Sequence, residues 1–299
     1  MKNVLVTGGS GLLGSNLVRL LRDRFRVFYT YNENYVKMKK ATPIRMNFMR
    51  DYEISDKILY IRPDIIINCA AITSIGECER DRELAFCVNT YGAKVMADAC
   101  KKIGSKLIQI SADAVFDGKK GMYTEQDRTN PVNYYGFTKL QAERMARTWE
   151  NSVIIRTNFY GFGVNGNSLV EVILEKLKNR ERMRIPDDLL STPILVDHLG
   201  LAIIELINKD SIGTYNIAGA EKISRFDLAT RLAKTFGLNE GLIEPISTKH
   251  LPLKVELAAD TSLDISKASK ELGIKMLDIN SGLMAMKNAS SNKIIAGEF

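Results

Sequence analysis

The chain of 299 residues is poor in the side chains that build disulfide frameworks and zinc sites. It has only four cysteines and two histidines. The cysteines, at positions 69, 78, 87 and 100, form no Cys-x-x-Cys pair, and the histidines, at 198 and 250, lie far from them in sequence. A structural zinc site is therefore not expected, and we expect no bound metal. This cysteine usage favours reduced thiols and predicts a cytoplasmic protein.

Long apolar runs are also missing, so we expect no membrane-spanning helix. The first residues pass directly into a predicted strand, and no secretory signal is expected. The formal net charge is +7, but the lysines and arginines are dispersed and not interleaved with aromatic residues, which argues against a nucleic-acid partner. A content of 45% hydrophobic and 26% charged residues is typical of a globular protein.

The N-terminal stretch supplies the first functional motif. Residues 4–14 read VLVTGGSGLLG, an apolar run followed by glycines at positions 8, 11 and 14. Leucines at helical spacing follow, so the pattern is strand, glycine turn, helix. A glycine turn lets the backbone approach a pyrophosphate, and the helix N-terminus behind it offers free N–H groups. The stretch predicts a bound dinucleotide.

Predicted strands and helices alternate through the first half of the chain. Strands are expected over 26–31, 106–110 and 152–156, with a short one over 43–48 and a long helix over 84–102. The fold class is therefore α/β, a doubly wound parallel sheet with a smaller α/β substrate-binding lobe. We assign residues 1–156 to the NAD(P)-binding domain, with 193–217 returning to it. Residues 157–192 and 218–299 form the lobe and the tail.

The end of the second predicted strand bears on the choice between the two nicotinamide dinucleotides. An acidic residue often stands there to hold the adenosine ribose. This chain has Tyr31 and Asn32 instead, with lysines at 37, 39 and 40 nearby. The missing acid leaves room for a 2′-phosphate, so the sequence favours NADP over NAD.

Tyr135 and Lys139 form a Tyr-x-x-x-Lys pair. Residues four apart share one face of a helix. An ammonium group beside a phenol favours the phenolate, so we expect Lys139 to lower the pKa of Tyr135. Such a tyrosine exchanges a proton with a carbonyl or alcohol while hydride moves to or from a nicotinamide, and the lysine holds the nicotinamide ribose.

The glycine turn, the Asn-Cys-Ala-Ala segment at 68–71 and the Tyr135–Lys139 pair resemble the extended short-chain dehydrogenase/reductase superfamily. The segments VFDG (115–118), PVNYYGFTKLQAE (131–143) and RTNFYG (156–161) narrow the resemblance to the dTDP-4-dehydrorhamnose reductase family. It implies a Rossmann-like fold and an NAD(P)H-dependent reduction of a 4-keto-6-deoxy nucleotide sugar. It also implies a homodimer.

The same resemblance assigns roles to residues. Besides Tyr135 and Lys139, the cofactor residues would be Gly8, Ser10, Gly11, Leu12, Leu13, Gly14, Tyr31, Asn47, Phe48, Cys69, Ala70, Ala71, Thr73 and Asn89. The substrate residues would be Asp113, Asn158, Phe159, Ser191 and Thr192.

The third catalytic position of the family departs from its pattern. The family carries a threonine where this chain has Ala112, which has no hydroxyl to polarise the sugar ketone. Loss of one such donor typically costs about 10²–10³ in rate. A reductase with water or another donor in that place, a relative that no longer catalyses and an introduced substitution all remain open. The second hypothesis is a cofactor-binding regulatory subunit, similar to the beta subunit of methionine adenosyltransferase.

Overall fold

The computed structural model describes residues 1–252 and 254–296. The strands are β1 (Asn3–Thr7), β2 (Arg26–Tyr31), β3 (Ala41–Arg45), β4 (Ile65–Asn68), β5 (Lys106–Ile110), β6 (Ser152–Arg156), β7 (Phe159–Tyr160), β8 (Met183–Pro186), β9 (Leu190–Ser191), β10 (Ile194–Leu195), β11 (Gly213–Asn216), β12 (Ile223–Ser224) and β13 (Ile243–Ile246). The α-helices are α1 (Leu12–Leu21), α2 (Asp51–Ile61), α3 (Ile75–Arg80), α4 (Arg82–Phe86), α5 (Gly92–Ile103), α6 (Tyr134–Ala146), α7 (Leu169–Lys178), α8 (Val196–Asn208), α9 (Arg225–Phe236), α10 (Ser266–Leu272) and α11 (Ile279–Ala296).

A parallel sheet of seven strands runs through the described ranges in the order β11-β6-β5-β4-β1-β2-β3. Its order from β3 to β6 is that of a doubly wound dinucleotide-binding fold, in which ligands bind beyond the carboxyl ends of the central strands. The predicted fold class is confirmed. The strands predicted over 26–31, 106–110 and 152–156 are also confirmed, with the expected bounds.

Both faces of the sheet are covered by helices, which explains why its strands are apolar throughout. Val4 and Val6 of β1 belong to a buried cluster with residues of α1 and α8. Leu5, which points to the opposite face, belongs to a second cluster with residues of α2 and α5. The carboxyl ends of β1, β4, β5 and β6 therefore open on one edge, between the two helical layers.

Two local predictions were wrong. The third strand was expected over 43–48, but β3 ends at Arg45, because it pairs with β2 and Arg45 lies opposite the last β2 residue, Tyr31. The long helix expected over 84–102 is interrupted by a π-helical turn, Cys87–Tyr91, between α4 and α5. Such turns are frequent at functional sites, and this one carries Asn89.

A second group of elements packs beside the carboxyl edge of the sheet. Residues of α7, α9 and α11 share one buried cluster, which includes Ile173, Leu232 and Leu283. Residues 213–216 lie in the main sheet, where β11 pairs in parallel with β6. The boundaries proposed for the two domains stay a prediction.

No helix in the described ranges is long and apolar enough to cross a membrane. The predicted tail contains α11, which runs to Ala296. The last part of that tail, residues 297–299, lies outside the described residues.

Candidate active site

The glycine turn closes tightly between β1 and α1. Gly8 has a φ of +62°, and a Cβ there would lie 2.8 Å from the Cα of Ala70. A Cβ on Gly14 would overlap the carbonyl oxygen of Gly8, which accepts a hydrogen bond of 2.9 Å from the Gly11 N–H. The first turn of α1 holds no acidic side chain. Its N-terminal N–H groups have no partner within the helix, so this turn fits the pyrophosphate of a dinucleotide.

Tyr135 and Lys139 lie near the start of α6. The side chain of Asn133 caps this helix by accepting a hydrogen bond of 2.9 Å from the Gly136 N–H. Lys139 is buried, and its Nζ donates a hydrogen bond of 2.7 Å to the carbonyl oxygen of Ile110, the last residue of β5. This bond ties α6 to the end of the central strand β5.

The electrostatics of the pair differ from the expectation. The pKa of Tyr135 is raised, first by burial and then by the negative charge of Asp113, so the predicted lowering by Lys139 was wrong. Burial lowers the pKa of Lys139 to about 8. The reason is that both groups lose solvation, which disfavours the phenolate and the ammonium alike. A phenol with a raised pKa stays protonated at neutral pH, as a proton donor must.

Ala112 follows β5 and lies beside Thr157, which follows the neighbouring strand β6. The β5–β6 register pairs Ile110 with Ile155, and the ladder continues through a hydrogen bond of 3.3 Å from the Asp113 N–H to the Thr157 carbonyl oxygen. Thr157 is buried, and its hydroxyl has no hydrogen-bond partner among the residues that the structure describes.

Asp113 is held from the substrate-lobe side. Its Oδ2 accepts hydrogen bonds of 2.9 Å from Nδ2 of Asn158 and 2.7 Å from the hydroxyl of Thr261. Burial raises the pKa of its carboxyl, while these two hydrogen bonds act in the opposite direction. The carboxyl therefore has a fixed orientation beside Ala112.

Asn89 ties the π-helical turn to two neighbouring segments. Its side chain accepts from the N–H of Ile72 at 2.8 Å and donates to the Ile72 carbonyl oxygen at 3.0 Å. It also donates to the hydroxyl of Thr138 at 2.9 Å. Thr138 precedes Lys139 in α6, so Asn89 holds the segment after β4 against α6, and it does not itself line the cavity.

A cavity of about 620 Å³ joins the glycine turn to the start of α6. It contains all three predicted catalytic positions, Ala112, Tyr135 and Lys139. Predicted cofactor residues on its lining are Gly8, Gly11, Leu12, Leu13, Gly14, Cys69, Ala71 and Thr73, and predicted substrate residues on it are Asp113, Asn158, Phe159 and Ser191.

The remaining predicted residues lie away from the lining. They are Ser10, Tyr31, Asn47, Phe48, Ala70, Asn89 and Thr192. Phe48 is buried in the core and packs against Gly92, and Oδ1 of Asn47 accepts a hydrogen bond of 2.9 Å from the Met49 N–H. The hydroxyl of Thr192 is buried and accepts from the N–H of Leu263 at 3.0 Å.

Several lining residues were missed at the level of sequence. The most informative are polar or charged: Asn133, Asn165, Asn167, Ser168, Arg225 and Thr261. Asn133 could have been found as the helix cap before Tyr135, because Asn is a preferred N-cap residue. Arg225 and Thr261 reach the cavity through long-range contacts, for which no local sequence signal exists.

Known proteins are similar to this chain over nearly its whole length. The model of the RmlD substrate binding domain matches residues 1–291. A dTDP-4-dehydrorhamnose reductase of Aggregatibacter actinomycetemcomitans is 30% identical over 294 residues, covering 93% of this chain and 96% of the relative.

Solved structures of the same kind superpose along nearly the whole chain. A hypothetical dTDP-4-dehydrorhamnose reductase from Sulfolobus tokodaii has 34% identity and a TM-score of 0.84, covering 94% of this chain and 98% of the other. The Bacillus anthracis dTDP-4-dehydrorhamnose reductase in complex with NADP has 26% identity and a TM-score of 0.85, covering 96% and 99%.

These similarities bear out the reductase interpretation and do not support the regulatory-subunit alternative. The oxidoreductase class and the use of an NAD(P) cofactor follow from them together with the glycine turn. The chain belongs to the RmlD substrate binding domain family, within the extended short-chain dehydrogenase/reductase superfamily.

Proposed function

We propose that the protein reduces the keto group of a 4-keto-6-deoxy nucleotide sugar, of the kind that dTDP-4-dehydrorhamnose reductases act on, with NAD(P)H as reductant. One observation carries the proposal. The glycine turn, Tyr135, Lys139 and Asp113 all face one cavity, so the proposed cofactor site and the proposed proton donor open on the same space.

The reaction places distinct demands on the residues of the chain. The bound cofactor supplies hydride to the ketone carbon. Tyr135 donates its phenolic proton to the ketone oxygen, so the carbonyl becomes a hydroxyl and the tyrosine becomes a phenolate until it is reprotonated. The raised pKa of Tyr135 keeps that proton available at neutral pH. Lys139, held by the Ile110 carbonyl, lies where it can hold the nicotinamide ribose.

Ala112 makes the chemical step slower than in a relative with threonine there. Its methyl group offers no hydrogen bond to the ketone oxygen, and Tyr135 is the donor that we assign to that atom. We infer that the enzyme works with one hydrogen bond fewer in the transition state, which costs about 10²–10³ in rate.

NADP is the proposed cofactor in preference to NAD. The end of β2 carries no acid, and Lys37 and Lys39 follow it in the next segment. Lys40 pairs with Asp23 at 2.7 Å, so Lys37 and Lys39 are the better candidates for the 2′-phosphate. The relative from Bacillus anthracis is in complex with NADP, which supports this choice.

We also propose a homodimer that pairs through the helices around Tyr135. Phe86, Tyr91 and Phe137, on neighbouring segments of that face, are each more than a third exposed. Sedimentation should give the mass of a dimer, and Phe137→Asp should shift it toward the monomer. A monomeric wild-type protein would contradict this part of the proposal.

A reducing compartment such as the cytoplasm suits the four free cysteines.

The proposed chemistry is tested by Tyr135→Phe, with Tyr134→Phe as the matched control because Tyr134 does not line the cavity. With a 4-keto-6-deoxy nucleotide sugar, Tyr135→Phe should oxidise NADPH about 10²–10⁴-fold more slowly. NADPH binding, followed by fluorescence, should be retained in both variants. A Tyr135→Phe enzyme as fast as the control would exclude Tyr135 as the proton donor.

A further inference from the structure

Arg225 is the first residue of α9 and faces the cavity from the substrate lobe. Its position is fixed by the backbone. Its N–H donates a hydrogen bond of 3.1 Å to the carbonyl oxygen of Leu189, and the preceding strand β12 pairs antiparallel with β9. Ser224 caps the helix by accepting from the Asp227 N–H at 3.0 Å. Leu189, Leu190 and Ser191 line the same part of the cavity.

Arg225 forms no salt bridge or hydrogen bond with any residue in the described ranges, and the opposite charge that acts on its guanidinium is that of Asp113, on the same cavity lining. By contrast, Arg231, six residues further along α9, pairs with Glu221 at 2.8 Å. An arginine presents five donors in a fork that matches two phosphate oxygens at once. An unpaired arginine in a ligand cavity is therefore suited to an anion.

The charged residues around the cavity indicate which anion Arg225 would bind. The charged residues on its lining are Asp113, Lys139 and Arg225. Lys139 is buried and bonded to Ile110 beside Tyr135, where the keto group has to lie. The pyrophosphate of the dinucleotide has its own site at the start of α1. The diphosphate of a nucleotide sugar would bring a second pair of negative charges, and Arg225 is the cation on the substrate side.

We propose that Arg225 binds the diphosphate of the nucleotide-sugar substrate and thereby selects substrates that carry this group. This inference rests on the proposed function, because it assigns one contact within the same site. The diphosphate takes no part in the bond changes at the keto group, so a contact with it contributes to binding the substrate and the transition state equally. Its loss should raise KM and leave kcat nearly unchanged.

The test is calorimetric titration of the NADP-saturated protein with dTDP, UDP and uncharged thymidine. Arg225→Met is compared with wild type and with Arg231→Met, which removes an arginine from the same helix away from the cavity. A hydrogen bond to a charged group is worth about 1.5–3 kcal/mol, so Arg225→Met should bind dTDP about 10- to 100-fold more weakly. Its affinity for thymidine should be unchanged, and Arg231→Met should bind both as wild type does.

Arg225→Lys is a second variant, which keeps the positive charge and loses the forked donors of the guanidinium. Its affinity for dTDP should lie between those of wild type and Arg225→Met. The inference is overturned if wild type binds dTDP or UDP and Arg225→Met binds the same nucleotide equally well. The proposed function would not be affected by that result. If wild type binds neither nucleotide and reduces no nucleotide sugar, the proposed function and this inference both fail.

Discussion

The hydroxyl of Ser111 donates a hydrogen bond of 2.7 Å to Oε1 of Glu143. Glu143 is completely buried, and Nε and Nη2 of Arg156 donate to its two carboxylate oxygens at 2.9 Å each. The serine next to Ala112 is thus used to join β5, α6 and the end of β6. Ser111 also lines the cavity, but its hydroxyl hydrogen is donated to Glu143, so Ser111 does not replace the donor that is missing at Ala112.

Restoring that hydroxyl is the first prediction. Ala112→Thr should raise kcat for a 4-keto-6-deoxy nucleotide sugar by about 10²–10³-fold, because a second donor then meets the ketone oxygen in the transition state. Steady-state oxidation of NADPH measures the change, with Ala112→Val, which has the shape of threonine without its hydroxyl, as the control. An unchanged kcat would mean that another group already supplies the hydrogen bond.

A second prediction concerns the buried ion pair behind the site. Glu143→Gln keeps the shape of the side chain but leaves Arg156 buried without a countercharge, which should lower the free energy of unfolding by about 3–5 kcal/mol. Asp98→Asn breaks the exposed pair with Lys94 and serves as the control, with no measurable effect expected. Urea denaturation compares the two. Equal stability of both variants would refute a structural role for the network.

The third prediction is a pH dependence of stability. The pKa of Lys139 is about 8 in the folded protein against an ordinary value of 10.5. Between these values the unfolded chain binds more protons, so a rise in pH stabilises the folded state, by on the order of 3 kcal/mol in total. Below pH 8 both states are protonated and the contribution is flat.

Lys139→Met removes this titration. The difference in unfolding free energy between wild type and Lys139→Met should therefore shift in favour of wild type from about pH 8 to pH 10. Denaturant titrations at several pH values measure it. A difference that is independent of pH would show that the folded-state pKa of Lys139 is not lowered.

The fourth prediction compares two buried threonines. The hydroxyl of Thr157 has no partner in the described part of the chain, so Thr157→Val should raise the free energy of unfolding by about 1 kcal/mol. The hydroxyl of Thr138 donates to the Tyr135 carbonyl oxygen at 2.8 Å and accepts from Asn89. Thr138→Val should therefore cost about 1–3 kcal/mol. Similar losses in both variants would indicate that Thr157 has a partner in solution.

Much of the fold was predictable because its signals are local. An apolar run followed by glycines defines β1 and the turn after it. Short, mainly apolar runs also define β5 and β6. The end of β3 was not predictable, because it depends on where its partner β2 ends. The π-helical turn was missed for a related reason. Asn89, within this turn, forms hydrogen bonds with other segments, and such contacts cannot be inferred from the helical pattern of the sequence.

The candidate site was likewise predictable only in part. Tyr135, Lys139 and Asp113 were identified from motifs, and they line one cavity. The raised pKa of Tyr135 could not be foreseen, because spacing on a helix does not show how deeply a side chain is buried. Arg225 was missed because it reaches the cavity only through the pairing of β12 with β9.

The central claim, reduction of a 4-keto sugar by hydride transfer, is tested most directly by isotope transfer. The wild-type protein is incubated with NADPH deuterated at the transferred position and a 4-keto-6-deoxy nucleotide sugar, and the product is examined by NMR. The account predicts a 4-hydroxy sugar with deuterium on C4 and an equal amount of oxidised cofactor. Unchanged keto sugar in the presence of bound NADPH, for wild type and Ala112→Thr alike, would contradict it.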